Sequence, residues 1–213
     1  YAIRGALWYQ GEANGSESDS YFHKTRALIG GWRQVWGQGD FPFYYVQLAN
    51  FQKSDPNNAA GGDGWSKLRE AQLKSLTIPN AGMAVIIDIG DANDIHPKDK
   101  QDVGKRLAAW ALAKDYKKSV VWSGPLYKGC KVEGNKVRIA FDCAPTGLIA
   151  GEKKGLEPVQ PAADGKLKWF AIAGEDKKDK ILDVDDFTPG TIEVRIDGVG
   201  DEPRKITIRR LSS

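Results

Sequence analysis

Gly82-Met83-Ala84-Val85-Ile86-Ile87-Asp88-Ile89 runs without a break into Gly90-Asp91-Ala92-Asn93-Asp94-Ile95-His96-Pro97. An almost wholly apolar run of this length suits a strand covered on both faces, as in a parallel sheet. The polar turn behind it is what the carboxyl end of such a strand presents. Ala2 to Tyr9 repeats the pattern and ends in Gln10-Gly11-Glu12-Ala13-Asn14, and Phe41 to Ala49 repeats it before a polar loop over 50–64. Helical spacing fills the gaps. Tyr21 to Trp36 places Phe22, Leu28, Ile29, Trp32, Val35 and Trp36 on an apolar face, and Trp65 to Thr77 does so with Leu68, Ala71, Leu73 and Leu76. Pro97 is predicted at the first position of a third helix reaching about Lys117, with Val103, Leu107, Trp110 and Ala111 inward. Strand and helix alternating three times predicts an α/β domain with a parallel sheet and right-handed crossovers.

Beyond residue 118 the pattern changes. Val120 to Trp122, Lys131 to Phe141, Leu167 to Ala173 and Thr191 to Ile196 read as short strands between Gly, Pro, Asp and Lys turns. The expected division is therefore 1–118 and a β-rich 119–213. The two cysteines flank a hairpin centred on Glu133-Gly134-Asn135. Pairing across that turn puts Cys130 opposite a residue near 138 rather than Cys143, so two buried free thiols are expected instead of a bridge. The lysine-rich stretches at 114–118 and 177–180 read as solvated faces.

With 31 basic and 28 acidic residues and a net charge of +3, the charge is too balanced to argue for nucleic acid. No apolar run approaches the roughly 20 residues that cross a bilayer, so no membrane span is expected. The chain opens at Tyr1 directly on strand-like sequence, as a piece of something longer does, and no leader is legible in it. The seven tryptophans read first as core packing. Asn14-Gly15-Ser16 has the form of a glycosylation sequon and is read as coincidence.

Ligands of open parallel sheets bind beyond the carboxyl ends of the strands. That rule carries three polar clusters to one edge: Gln10, Gly11, Glu12 and Asn14; Gln47 and Asn50 with the long loop; and Asp91, Asn93, Asp94 and His96. At the mouth of the predicted third helix, His96 suits a neutral general base, because the helix dipole there disfavours imidazolium. Asp94, two residues earlier, could orient the ring. The same residues also suit a capping turn whose carboxylates satisfy backbone amides. Gly11 allows backbone to approach a substrate closely, Gln10 and Asn14 can donate to a developing oxyanion, and Glu12 is a second candidate acid. His23, inside a helical pattern, reads as structural.

Five stretches together resemble the sialate O-acetylesterase family, a branch of the SGNH hydrolases. They are Ala6 to Asn14, Trp32-Arg33-Gln34-Val35-Trp36-Gly37, Phe43 to Phe51, Leu68-Arg69-Glu70-Ala71-Gln72 and Asp88 to Pro97. The resemblance covers roughly residues 1–175. It implies a partial flavodoxin-like, three-layer α/β/α domain with a β-rich part behind it. It also implies serine-type, metal- and cofactor-free hydrolysis of O-acetyl esters on sugars such as sialic acid or xylan.

By position His96 matches the family's base and Asp94 its acid, ahead of Glu12 and then Asp91. Gln10, Gly11 and Asn14 match the oxyanion and substrate side, and Arg69 matches a motif arginine without an assigned role. The family's serine lies in a Gly-Gln-Ser segment N-terminal to these motifs. No serine of this chain follows a strand in such a turn; Ser123 comes nearest, in the β-rich part.

The expected partners are therefore an O-acetylated carbohydrate and an upstream polypeptide segment carrying the nucleophile. The expected location is secreted, periplasmic or lysosomal. A carbohydrate-binding relative without the serine, using Trp8, Tyr9 or Trp65, is the alternative, and an esterase recruiting one of this chain's serines is a third reading. A three-stranded sheet leaves an apolar edge, so the chain is also expected to need the upstream segment for stability.

Overall fold

The computed structural model describes residues 1–53, 64–134 and 136–173, and beyond them the strands within 179–184, 187–188, 191–195 and 207–210. Two compact units make up the chain; the first takes in Tyr1–Lys53 and Gly62–Ser123, and the second runs from Gly124 onward.

In the first unit the elements follow one another as β1 (Ala6–Trp8), α1 (Ser18–Trp36), β2 (Phe43–Gln47), α2 (Gly64–Lys74), β3 (Ala81–Val85) and α3 (Lys100–Lys114). The strands pair in parallel in the order β1-β2-β3, with Ala6 beside Phe43 and Phe43 beside Ala81. Every residue of β2 is buried. Alternation along the strand sorts its side chains between two layers. Phe43, Tyr45 and Met83 pack with Ile29 of α1 and Ile78, while Tyr44, Val46 and Ala84 pack with Val103, Leu107 and Trp110 of α3. The result is helices on both faces of the sheet, the α/β/α sandwich expected. Phe43 and Ile29 are fully buried, each contributing about 1.5–3 kcal/mol by that burial.

Trp110 lies on the strand because Gly82 has no side chain: a Cβ there would stand 2.5 Å from its ring. Its indole N–H donates to the Met83 carbonyl at 3.0 Å. On the α1 side Trp8, Trp32 and Phe43 form an edge-to-face cluster, with Trp8 and Trp32 centroids 5.7 Å apart. The edge strand β1 is less covered. Leu7, in register with Tyr44, faces the α3 layer, yet α3 packs over β2 and β3, and Leu7 is 61% exposed.

Several sequence expectations need correction. The first strand is three residues long, not eight. β3 ends at Val85; Ile86 to Ile89 form a turn closed by Ile89 N–H donating to the Ile86 carbonyl at 3.2 Å. Ile86 and Ile89 stay buried in that turn, which is why the run reads as one strand. Pro97 does not open α3. The helix starts at Lys100 behind Asp99, whose carboxylate accepts from Asp102 N–H at 3.0 Å. Val35 and Trp36 of α1 are exposed rather than inward. Val120 to Trp122 is not a strand; Trp122 packs against Trp110 instead, with Lys114 Nζ 3.7 Å over its ring.

The second unit is antiparallel. β4 (Leu126–Glu133) and β5 (Lys136–Asp142) form the hairpin, extended through β11 (Thr191–Arg195) and β10 (Phe187–Thr188). Short β6 (Gly151–Glu152) and β7 (Gln160–Pro161) pair together, and β8 (Leu167–Ala173) lies between β9 (Asp179–Val184) and β12 (Thr207–Arg210). Val137 and Ile139 form the buried face of β5. Cys130 pairs across the ladder with Ile139, so no bridge to Cys143 forms and both thiols are free. They are not buried, however: Cys130 is exposed and Cys143 half-buried. The lysines at 177–178 lie outside the described residues. Among the described residues no helix is long and apolar enough to cross a membrane.

Candidate active site

All three strands of the first unit point the same way, so their carboxyl ends share an edge. β1 leaves through Tyr9, Gln10 and Gly11 into a 3-10 turn, Glu12–Glu17. Gly11 has φ of 149°, and a Cβ there would crowd Leu68, the Gln72 amide and the Tyr21 hydroxyl. Glycine is needed at this bend on both counts. The Gln10 side-chain amide donates to Asn14 Oδ1 at 2.7 Å, and the Asn14 amide donates to Glu17 Oε2 at 2.7 Å. Each amide keeps a second hydrogen. From below, Tyr21 O–H lies 2.8 Å from the Gln10 carbonyl and 3.0 Å from Gln10 Oε1.

A buried glutamine joins this exit to the next. Gln72 of α2 is 1% exposed; its amide donates to Val46 O at 3.2 Å and Gln10 O at 3.4 Å, and its Oε1 accepts from Leu48 N–H at 2.9 Å. Tyr45 O–H donates to its backbone carbonyl at 2.7 Å. Gln47, expected at the site, is instead buried in the strand and donates to the Arg69 carbonyl at 2.9 Å. Asn50 does reach the edge. Its Oδ1 accepts from Gly90 N–H at 2.8 Å, and Gln52 N–H donates to Ala92 O at 3.0 Å. A side chain at Gly90 would run into the Asn50 backbone. The second and third exits therefore run side by side.

The third exit carries the candidate acid and base. Arg106 of α3 grips Asp88 with both its terminal nitrogens, at 2.5 and 2.7 Å, and donates to Val85 O at 2.7 Å, fixing the point where the chain leaves β3. Two turns built on aspartate side chains follow: Asp91 Oδ1 accepts from Asn93 N–H at 2.8 Å, and Asp94 Oδ1 accepts from His96 N–H at 2.9 Å. The same Asp94 oxygen stands 3.5 Å from His96 Nδ1, while the imidazole itself is 82% exposed. The backbone N–H of His96, then the charges of His96 and Lys98, hold the Asp94 carboxyl below its ordinary range. At 3.5 Å the ring is steered rather than tightly bonded. Since α3 begins four residues later, His96 owes its setting to Asp94 and not to the helix dipole.

The structure thus brings Asp94 to His96 and Gln10 to Asn14. Among the described residues Glu12 and Asp91 make no hydrogen bond or ion pair to His96. The charge of Glu12 acts on Tyr9, whose phenol is pushed up to about 12, first by burial and then by Glu12. Lys100 Nζ sits 4.9 Å over the same ring. His23 is exposed on α1 beside Phe22.

Ser123 falls in the first unit, not the β-rich part. It follows Trp122, which lies on Lys114 at the far end of α3, about 20 Å of helix away from Lys100 at 1.5 Å per residue. That separates it from the His96 loop. Among the described residues no three His, Cys, Asp or Glu side chains come together as a metal site needs. Sequence reading missed Gln72, Arg106 and Phe51 as site residues, and it named Trp65 only as a sugar-binding aromatic of the alternative reading. The signal for Gln72 was present: a polar residue at helical spacing from Leu68, on the buried face of α2.

Residues 1–113 match the family model described as carbohydrate esterase, sialic acid-specific acetylesterase. The chain is similar to the sialate O-acetylesterase of Homo sapiens, 35% identical over 187 residues, covering 79% of this chain and 35% of that protein. Against the sialate O-acetylesterase of Rattus norvegicus the identity is 34% over 145 residues, 59% of this chain and 26% of that one. Among solved structures it is similar to a carbohydrate acetylesterase from Xanthomonas citri, with a TM-score of 0.78 and 33% identity over 97% of this chain and 45% of that chain. The chain spans about a third of the length of the curated relatives it matches.

Proposed function

The chain belongs to the sialic acid-specific acetylesterase family of carbohydrate esterases, and from that premise we propose that it supplies the general base and the oxyanion side of a serine-type sugar O-acetylesterase. The observation that carries this is the Asp94–His96 pair, standing on the strand-exit edge that also holds Gln10, Gly11 and Asn14. The nucleophilic serine comes from a segment outside these 213 residues. His96 Nε2 takes the serine proton as its oxygen adds to the acetyl carbonyl, and Asp94 stabilises the imidazolium formed. The spare amide hydrogens of Gln10 and Asn14, with the Gly11 backbone, meet the oxyanion. The proton then passes to the sugar oxygen as its bond to the acyl carbon breaks, freeing the sugar hydroxyl and leaving an acetyl-serine. Water, deprotonated by the same ring, cleaves it to acetate. The proposed setting for such a substrate is secreted, periplasmic or lysosomal.

The test is acetate release from O-acetylated N-acetylneuraminic acid by the protein carrying its upstream segment, together with intact-mass analysis after a fluorophosphonate probe. In the wild type the probe adduct is expected on the upstream segment, and His96→Ala is expected to slow that labelling and to lower release by about 10²–10⁴-fold. An adduct on a serine of residues 1–213 overturns the nucleophile assignment. Sugar binding without any acetate release would make the chain a non-catalytic relative.

A further inference from the structure

Phe51 and Trp65 sit where all three strand exits meet. Phe51 lies between Asn50 and Gln52, the two residues hydrogen-bonded to Gly90 and Ala92 of the His96 loop. Trp65, at the start of α2, packs against Phe51 with centroids 5.4 Å apart and planes tilted 48°. Trp65 also adjoins Gly15, in the turn that takes in Asn14. Its indole N–H donates to the Ala49 carbonyl at 2.9 Å, and its side chain packs against the cluster of Tyr21, Leu48, Leu68 and Ala71. Gln52, a non-glycine residue, holds φ of 66° beside this pair. Such backbone strain persists where surrounding structure fixes it. Trp65 is therefore held by a hydrogen bond and by packing, Phe51 lies against it, and both rings remain partly exposed.

We propose that Phe51 and Trp65 form the wall against which the sugar ring of the substrate stacks. This rests on the esterase reading and extends it to the alcohol half of the ester. An acetyl group is small and needs only the carbonyl contacts described above. The pyranose that carries it has an apolar C–H face and a rim of hydroxyls, and it needs an aromatic surface next to amide groups. Phe51 and Trp65 supply the surface; Gln10 and Asn14, joined to Trp65 through Gly15, supply the amides. Trp65, already held on the core, costs little further ordering when a ring settles on it.

The sugar without its ester tests this separately from catalysis. Saturation-transfer NMR on the full 213-residue chain would use methyl N-acetylneuraminide and methyl β-xyloside as probes. Transfer to the pyranose C–H protons is expected, and it should weaken by about three- to tenfold in apparent affinity in Phe51→Leu and in Trp65→Leu. The stronger of the two glycosides identifies the sugar class. Phe51→Leu keeps apolar bulk and breaks none of the hydrogen bonds described, so it reports on the ring even where Trp65→Leu disturbs the fold. No transfer to either glycoside, or unchanged affinity in folded Phe51→Leu, overturns the proposal. Acetate release in the complete protein is scored independently, so sugar binding with no hydrolysis would fault the esterase reading and leave the wall standing.

Discussion

Two side chains at the strand-exit edge carry measurable electrostatic signatures. Asp94 accepts the His96 backbone N–H and lies beside the His96 ring and Lys98, so its carboxyl is expected to titrate below an ordinary aspartate. A folded-state value lowered in this way stabilises the loop above the unfolded value and loses that contribution as pH falls through the folded one. Carboxyl-carbon NMR of the chain between pH 2 and 6 checks it; an Asp94 midpoint at or above the ordinary value contradicts the geometry. Tyr9 moves the other way. Its phenol should titrate near 12, and unfolded tyrosines ionise near 10, so stability declines as pH rises across that window. The difference absorbance between wild type and Tyr9→Phe gives its midpoint. Glu12→Gln should lower that midpoint only part of the way toward 10, because burial is the larger cause.

At the scale of helices and strands, α3 reads as the least forgiving contact. Gly82→Ala places a methyl against the Trp110 ring, with an expected loss of about 1–3 kcal/mol in a urea titration. Arg106→Lys keeps the charge and removes the two-pronged grip on Asp88, costing about 1 kcal/mol because roughly a third of that pair meets water. The strand β2, the helix α2 and the β4–β5 hairpin were legible in sequence because their apolar spacing and turn residues agree with what packing requires. The end of β3 was not. Ile86 and Ile89 are apolar for the sake of a buried turn, and composition cannot tell a turn from a strand there. The start of α3 was mistaken because Pro97 invites a helix, while the cap that forms is Asp99 with Asp102. Of the site, the Asp94–His96 pair was visible as spacing along one loop. Gln72 showed only as a polar residue at core spacing; what it bonds, the grip of Arg106 and the seating of Trp65 on Ala49 were hidden because each joins segments distant in sequence.

For the first unit as a body, the exposed Leu7 on the edge strand β1 is the exception to an otherwise covered sheet. Strand edges with an apolar face invite pairing with another chain. Sedimentation velocity of the 213-residue chain is expected to show concentration-dependent self-association that Leu7→Lys reduces; a monomer at all concentrations would mean the edge is harmless as it stands. Gln72 has a different reach. One side-chain amide and its backbone carbonyl engage Gln10, Tyr45, Val46 and Leu48, so the position answers to two neighbouring strands at once. In a lineage of such sequences, replacing that glutamine would demand concurrent change on both strands before any intermediate became tolerable. Substitutions around it should therefore show strong epistasis, and drift at the first two strand exits should occur in concert rather than one site at a time.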